Sequence, residues 1–213
     1  MSLDIAGDDM AGDMAVAPRR PGPHAVHLCI DMQRLFSETT PWHTPAMADV
    51  LPNILRIAEA KPGRSLFARF IVADSAETAP GCWQPYYLRW STLTLEQMDP
   101  LLHELVAPLT AHAAPDRVFD KAGYSIFANP GFSDWLAANA VDTLVFTGVE
   151  TDICVLASLF DALDRGFHAI VVTDAVTSSA PASHEAVMTH LLPRMPEQVA
   201  LMDTATLLAL WTD

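Results

Sequence analysis

Short apolar runs alternate with amphipathic stretches from about residue 24 to the end of the chain. Runs rich in β-branched and aromatic residues predict strands, whereas apolar residues spaced three or four apart predict helices. Because strands and helices alternate, we expect a single α/β domain of three layers, α/β/α, with a central and mostly parallel sheet. The predicted strands are 24–30, 65–70, 116–119, 142–147, 168–173 and 198–202, and the predicted helices are 45–60, 131–139, 153–165, 182–192 and 204–211.

Local signals support several helix boundaries. Asn129 and Pro130 suit an N-cap followed by proline in the first helical position, and Gly166 is placed as a C-cap. Asp203 is a candidate cap for the last helix. The pattern therefore predicts where some of these helices begin or end.

Two segments lack sustained periodicity. Residues 1–23 end in a Pro/Gly cluster and are interpreted as a flexible leader before a domain over 24–213. Residues 71–100 are rich in Pro, Gly and aromatic residues and are interpreted as a long loop, with Trp83, Tyr86, Tyr87 and Trp90 as aromatic anchors. This loop is equally consistent with a binding segment or lid and with packing against a neighbouring subunit.

An acid, a base and a thiol each follow a different predicted strand. Asp31 follows the strand 24–30, Lys121 ends the run RVFDK, and Cys154 follows the strand 142–147. In an open parallel sheet, ligands bind at the carboxyl ends of the strands. Taken singly, Asp31 also suits a turn cap, and Lys121 also suits a solvated surface.

Cys154 is predicted near the N-terminus of the helix 153–165. Free N–H groups and the helix dipole favour an anion there, and they lower a cysteine pKa from about 8.5 toward or below neutrality. A nucleophile is one interpretation, and a buried, inert cysteine is the other. Cys29, inside a strand, and Cys82, in the loop, have no such setting.

Composition narrows the classes of function. The chain has 213 residues, 51% of them apolar, and a formal net charge of −14, which disfavours nucleic acid as a partner. Its three cysteines form no CxxC pair, so we expect neither a disulfide framework nor a zinc finger. No secretion signal and no membrane-spanning apolar run is evident, and we expect a cytoplasmic protein without a membrane partner.

Three motifs in order resemble the isochorismatase-like cysteine hydrolase superfamily, which includes nicotinamidases, N-carbamoylsarcosine amidases and ureidoacrylate amidases. They are D-M-Q-x-x-F from Asp31 to Phe36, K-A-G-Y-S-x-F from Lys121 to Phe127, and G-V-E-T-D-I-C-V from Gly148 to Val155. The pair Asp174-Ala175 follows them. The resemblance covers roughly residues 24–210.

The resemblance implies a catalytic triad of Asp31, Lys121 and Cys154. Asp31 would take the thiol proton, Lys121 would hold Asp31, and the thiolate would attack a carbonyl carbon to form a thioester. The backbone N–H groups of Glu150 and Cys154 are the candidate oxyanion hole, with side-chain identity at Glu150 mattering less. In this family the Val149–Glu150 bond is typically a cis peptide.

The resemblance also suggests substrate-binding residues. Gln33 and Tyr124 are candidates, as is Phe36, which is equally consistent with the core, and Trp83 is added from the aromatic loop. Thr151 and Asp152 are expected to stabilise the start of the helix rather than to touch substrate.

Nicotinamidases of this superfamily carry an Asp-x-His motif and a further His that bind a metal. The corresponding region here has Asp74 but no nearby histidine, so we expect no metal and no cofactor. His184 is a candidate for the rim of the pocket. Structural or surface roles are expected for the other histidines.

The expected activity is hydrolysis of a C–N bond in a small amide or carbamoyl compound. Phenazine-type isochorismatases, which cleave a vinyl ether, dispense with the cysteine, so Cys154 favours C–N hydrolysis. A vinyl-ether hydrolase and a non-catalytic, ligand-binding relative are the alternatives. A homo-oligomer, dimer or tetramer, is expected because relatives commonly associate.

Overall fold

The computed structural model describes residues 20–212 of the chain. Most of the predicted leader, 1–23, lies outside the described residues. Six strands form one sheet in the order β3-β2-β1-β4-β5-β6, and every pair is parallel. The strands are β1 (Ala25–Ile30), β2 (Ser65–Phe70), β3 (Val118–Lys121), β4 (Thr143–Gly148), β5 (His168–Val176) and β6 (Val199–Met202).

Helices cover both faces of the sheet, which confirms the predicted three-layer architecture. The connections through α2 and α6 run in opposite directions from the centre of the sheet, so right-handed crossovers place these helices on opposite faces. The α-helices are α1 (Arg34–Ser37), α2 (Met47–Ala60), α3 (Trp83–Arg89), α4 (Ala107–Thr110), α5 (Pro130–Ala138), α6 (Leu156–Asp164), α7 (Pro181–Ala186) and α8 (Thr204–Leu210). Within residues 20–212, no helix has the length and apolar character that a membrane span requires.

The order of the strands reverses between β1 and β4, which lie side by side in the centre of the sheet. Every residue of both strands is buried, and Ile30 at the end of β1 pairs with Gly148 at the end of β4. Connections leave this point toward opposite faces and open a crevice beyond the strand ends. Asp31 follows β1 directly, and Cys154 follows β4 after a short turn.

The predicted loop over 71–100 is wrong in one respect, because it contains the helix α3. Trp83, Tyr86, Tyr87 and Trp90 follow the helical spacing i, i+3, i+4, i+7, which is the signal that sequence inspection missed. Pro85 is tolerated because it lies in the first turn, where its missing N–H has no helical partner.

Some predicted helix ends are confirmed and others differ. Asp203 accepts a hydrogen bond from the N–H of Thr206 at the start of α8, and Gly166 has a φ of 84° after α6. Asn129 precedes α5 but caps nothing, because its amide donates to the carbonyl of Asp120. The predicted helix 182–192 is divided into α7, a π-helical turn and a 3₁₀ turn.

Asp174 lies inside β5 rather than in a loop. Its carboxylate accepts hydrogen bonds from the backbone N–H and the hydroxyl of Thr204, at 2.8 and 2.7 Å, and so fixes the start of α8. Its carbonyl accepts a hydrogen bond from Asn53 of α2. This residue therefore joins β5 to two helices on one face of the sheet.

Gly148 has a backbone that no other residue can adopt without displacing β1. Its φ is 104°, and a Cβ atom there would lie 2.0 Å from the carbonyl oxygen of Ile30.

We expect Gly148→Ala to lower the free energy of unfolding by about 3 kcal/mol or more, through backbone strain and overpacking. Urea unfolding measures the effect. Gly22→Ala, where a Cβ atom meets nothing within 4 Å, is the control and stays within about 1 kcal/mol.

His27 is a fully buried, hydrogen-bonded core residue. Its ring nitrogens bond to the hydroxyls of Ser65 on β2 and Thr147 on β4, at 2.8 and 2.7 Å, so it joins three strands. Burial lowers the pKa of His27 to about 3, which keeps the imidazole neutral.

This buried imidazole predicts a pH dependence of stability. Between about pH 6.5 and pH 3 the unfolded chain protonates His27 and the folded chain does not, so stability falls with falling pH. The contribution reaches about 1.4 kcal/mol per pH unit. We expect His27→Gln to remove this part of the slope when unfolding free energies are measured across that range. Equal slopes of unfolding free energy against pH for the wild type and His27→Gln would contradict this prediction.

Candidate active site

Asp31 and Lys121 form a buried ion pair at the carboxyl edge of the sheet. Nζ of Lys121 lies 2.8 Å from Oδ2 of Asp31, and both side chains are fully buried. The ammonium also donates to the carbonyl of Gly123 and lies over the ring of Phe70. Asp31 has a φ of 53°, a conformation that non-glycine residues seldom adopt and that concentrates at functional sites.

Cys154 stands next to this ion pair, in a π-helical turn over Thr151–Val155 that precedes α6. Single π turns are frequent at functional sites because they redirect side chains. The thiol interacts with both Asp31 and Lys121. Oδ1 of Asp31 has no hydrogen-bond partner of normal geometry among the described residues, which leaves it open for the thiol proton.

The expected low pKa of the thiol is wrong. Burial raises the pKa of Cys154, the carboxylate of Asp31 raises it further, and Lys121 only partly opposes them. Helix-terminal position alone therefore does not decide the protonation state. Burial and Asp31 therefore favour the neutral thiol, and Lys121 favours the thiolate.

The pKa values of the ion pair are shifted as well. Burial raises the pKa of Asp31 above its ordinary value, although the charge of Lys121 and the hydrogen bonds oppose this shift. Burial acts to lower the pKa of Lys121, but the charge of Asp31 and the neighbouring Cys154 reverse the effect, so the pKa is raised. A carboxyl group with a raised pKa suits proton transfer near neutrality better than an ordinary one.

A cavity of about 410 Å³ opens above Cys154, whose residue surface is only 6% exposed. Most of its wall is aromatic, and the remaining lining mixes charged, polar and apolar side chains. Asp31 and Lys121 lie behind the wall. The lining residues are Phe36, Pro41, Trp42, His43, Phe70, Tyr86, Arg89, Trp90, Tyr124, Glu150, Ile153, Cys154 and Ser179.

Trp42 is the centre of the aromatic wall. Its ring contacts Phe36, Phe70, Tyr86 and Trp90, with centroid distances between 5.7 and 6.5 Å. Sequence inspection did not single out Trp42, because it lies in the irregular segment before α2. Only the fold brings it to the thiol.

The predicted binding residues divide into two groups. Phe36 and Tyr124 line the cavity. Gln33 does not, because it is fully buried and its amide is used by the backbone of Phe70 and His103. Its role is to tie the turn after β1 to the end of β2.

Trp83 also lies behind the wall rather than in it. Its ring packs against Tyr124 and Tyr86, with centroids 4.9 and 5.3 Å apart, so it supports two rings that line the cavity. Of the aromatic residues in the stretch 71–100, Tyr86 and Trp90 thus line the cavity, while Tyr87 is buried.

The turn between β4 and Cys154 contains the cis peptide bond Val149–Glu150. In the described part of the chain, the N–H groups of Glu150 and Cys154 donate to no acceptor outside their own turn. The oxyanion hole expected from these two N–H groups stays a prediction.

Side chains of this turn hold the segment that follows β5. Thr151 bonds to the ring of His184, and Asp152 accepts from the hydroxyl of Ser178 at 2.6 Å. These residues clamp two segments together and do not cap the helix as expected. His184 lies behind the turn, outside the cavity lining.

Residues 20–212 contain no group of three or more His, Cys, Asp or Glu side chains arranged to hold a metal ion. Among the other cysteines, Cys29 is fully buried and Cys82 is exposed.

The fold is thus a parallel α/β sheet with a buried acid, a lysine and a thiol beside its switch point. The model of the Isochorismatase domain matches residues 25–206. The chain belongs to the isochorismatase family, whose members are hydrolases.

Three similar proteins illustrate this membership. A ureidoacrylate amidohydrolase RutB of Methylorubrum extorquens is 38% identical over 191 residues, which cover 77% of this chain and 76% of that protein. A probable inactive nicotinamidase of Arabidopsis thaliana is 25% identical over 166 residues, covering 75% and 83%. The crystal structure of a cysteine hydrolase from Pseudomonas syringae pv. phaseolicola has a TM-score of 0.75 at 23% identity, covering 94% and 97%, which shows a shared fold.

Replacing Lys121 alone leaves the carboxylate of Asp31 buried without a partner of opposite charge. We expect Lys121→Met to lower the free energy of unfolding by about 3–5 kcal/mol near neutral pH, because Asp31 is left buried without its partner. The double variant Asp31→Asn/Lys121→Met carries no charge there and is expected to be at least about 1 kcal/mol more stable than the single variant. Urea unfolding compares them, and equal stabilities would contradict the ion pair's role.

Proposed function

We propose that this chain is a cysteine hydrolase that cleaves a C–N bond of a small amide or carbamoyl compound through a thioester. The observation that carries the proposal is the arrangement at Asp31. One carboxylate oxygen is paired with Lys121, the other lacks a described partner, and Cys154 is adjacent at the floor of the cavity. An acid–base group and a nucleophile thus share one enclosed site.

The first half of the reaction uses Asp31 as a base and then as an acid. Asp31 takes the thiol proton as sulfur bonds to the substrate carbonyl carbon, and the N–H groups of Glu150 and Cys154 receive the developing oxyanion. The C–N bond then breaks, and the leaving nitrogen takes the proton from Asp31. The acyl group remains on sulfur as a thioester.

Water completes the cycle. Asp31 takes a proton from the attacking water, oxygen bonds to the acyl carbon, and the C–S bond breaks. The proton then returns to sulfur, which restores the neutral thiol. Lys121 stays protonated throughout, since its pKa is raised, and it stabilises Asp31 in the ionised form that must accept each proton.

The cavity supports a small, flat substrate. Its volume of about 410 Å³ is at the lower end of ordinary ligand pockets, and aromatic faces form most of its wall. The similarity to ureidoacrylate amidohydrolase RutB supports amide or carbamoyl chemistry. No metal or cofactor takes part in the proposed steps.

A pocket without catalysis is the second candidate, because one relative is named a probable inactive nicotinamidase. A non-catalytic protein would bind the same compounds as the proposed hydrolase but would not turn them over. Release of ammonia from a panel of primary amides and ureides separates the two. The expected homo-oligomer, the cytoplasmic location and the absence of nucleic-acid and membrane partners stay predictions.

Cys154→Ala is expected to lower kcat/KM by about 10⁴-fold or more with the fold intact, since the nucleophile is lost. Ammonia release from any substrate of the panel measures it, and circular dichroism checks the fold. Cys82→Ser is the matched control, because Cys82 is exposed and outside the cavity lining. Turnover by Cys154→Ala within tenfold of the wild type would sink the thioester mechanism.

A further inference from the structure

Glu150 uses one carboxylate oxygen to join two walls of the cavity. Oε1 accepts a hydrogen bond from the hydroxyl of Thr44 at 2.8 Å and another from the N–H of Ser179 at 2.9 Å. Thr44 follows the wall residues Trp42 and His43, and Ser179 itself lines the cavity. The side chain is therefore held in one orientation, although its identity was expected to matter less than the direction of the backbone.

Both side-chain hydrogen bonds found for Glu150 among the described residues end on Oε1, which leaves the second oxygen, Oε2, for a ligand. Glu150 is partly exposed, lines the cavity and lies four residues before Cys154. Burial raises the pKa of Tyr86 first of all, and among its neighbours both Cys154 and Glu150 raise it further. Glu150, Cys154 and Tyr86 all line the same cavity, so a substrate bound there meets the carboxylate as well as the thiol.

The other charged group of the cavity limits what this oxygen can bind. Arg89 lines the same cavity, and its guanidinium lies 4.7 Å from the centre of the Trp90 ring. Its positive charge opposes that of the Glu150 carboxylate in the same cavity, so an uncharged N–H donor can bind Oε2 without a further charge being desolvated. The surrounding aromatic faces favour a planar group, and a ureide is both planar and rich in N–H donors.

We propose that Oε2 of Glu150 accepts a hydrogen bond from the substrate and selects uncharged ureides with a free N–H next to the scissile carbonyl over their N-alkylated counterparts. The inference rests on the proposed function for its site. It assigns substrate discrimination to a residue whose side chain the proposed chemical steps do not use. Oε1 fixes the orientation of the Glu150 side chain, and Oε2 accepts the hydrogen bond from the substrate N–H.

The test measures binding, so that it does not depend on turnover. The probes are N-acetylurea and N-acetyl-N-methylurea, which differ at the bridging N–H, and their Kd values are measured by calorimetry on Cys154→Ala. We expect N-acetylurea to bind about tenfold more tightly or better, the effect of one hydrogen bond to a charged group. Equal Kd values, or no binding of either probe at millimolar concentration, would overturn the inference.

Glu150→Gln, in the same Cys154→Ala background, assigns the selectivity to Oε2. The Gln carbonyl can still accept from Thr44 and Ser179, while its NH₂ group places a donor where Oε2 was an acceptor. The ratio of the two Kd values is expected to fall to about 1–2. A ratio that stays near tenfold would assign the selectivity elsewhere.

Glu185→Gln is the matched control, because it removes the same charge from an exposed position on α7 outside the cavity lining. Its Kd ratio is expected to equal that of Cys154→Ala alone. In the otherwise wild-type enzyme, Glu150→Gln is expected to raise KM for ureides more than it lowers kcat. Selective binding without ammonia release would retain this inference and reject the hydrolase.

Discussion

The ion pair between Asp31 and Lys121 is the interaction on which the site depends. Two charges in a fully buried position are costly to desolvate, and the 2.8 Å contact offsets that cost only while both partners are present. Asp31 follows β1 and Lys121 ends β3, with β2 between them. The two charges therefore meet only when these three strands are assembled in this order. The two side chains of the proposed proton transfer are therefore also a structural contact between β1 and β3.

The sheet order explains why three distant residues meet. β1 and β4 are neighbours at the switch point, and their buried strands hold the turn after β4 against the end of β1 with Gly148 at the contact. That turn is then fixed from behind, since Thr151 and Asp152 bond to His184 and Ser178. The turn that carries the proposed backbone donors is thus held by strand pairing and by side-chain hydrogen bonds, an arrangement that would limit reorganisation in the proposed reaction.

The protonation of the thiol shows how tertiary burial overrides a local signal. The sequence places Cys154 near the start of a helix, where a dipole favours the thiolate. In the folded chain the thiol is buried beside a carboxylate, and both effects raise its pKa. In the proposed reaction, attack by the thiol consequently needs a proton acceptor, and the raised pKa of Asp31 suits that role.

Periodicity alone predicted the α/β class, the parallel sheet and all six of its strands, because each strand has the pattern of a short apolar run. The motifs determined which acid, base and thiol to consider. Only the tertiary structure decided that Gln33 and Trp83 stand behind the cavity wall and that Trp42 and the Glu150 side chain belong to it. Such choices depend on which face of an irregular segment meets the sheet edge, and contacts between segments distant in sequence set that orientation.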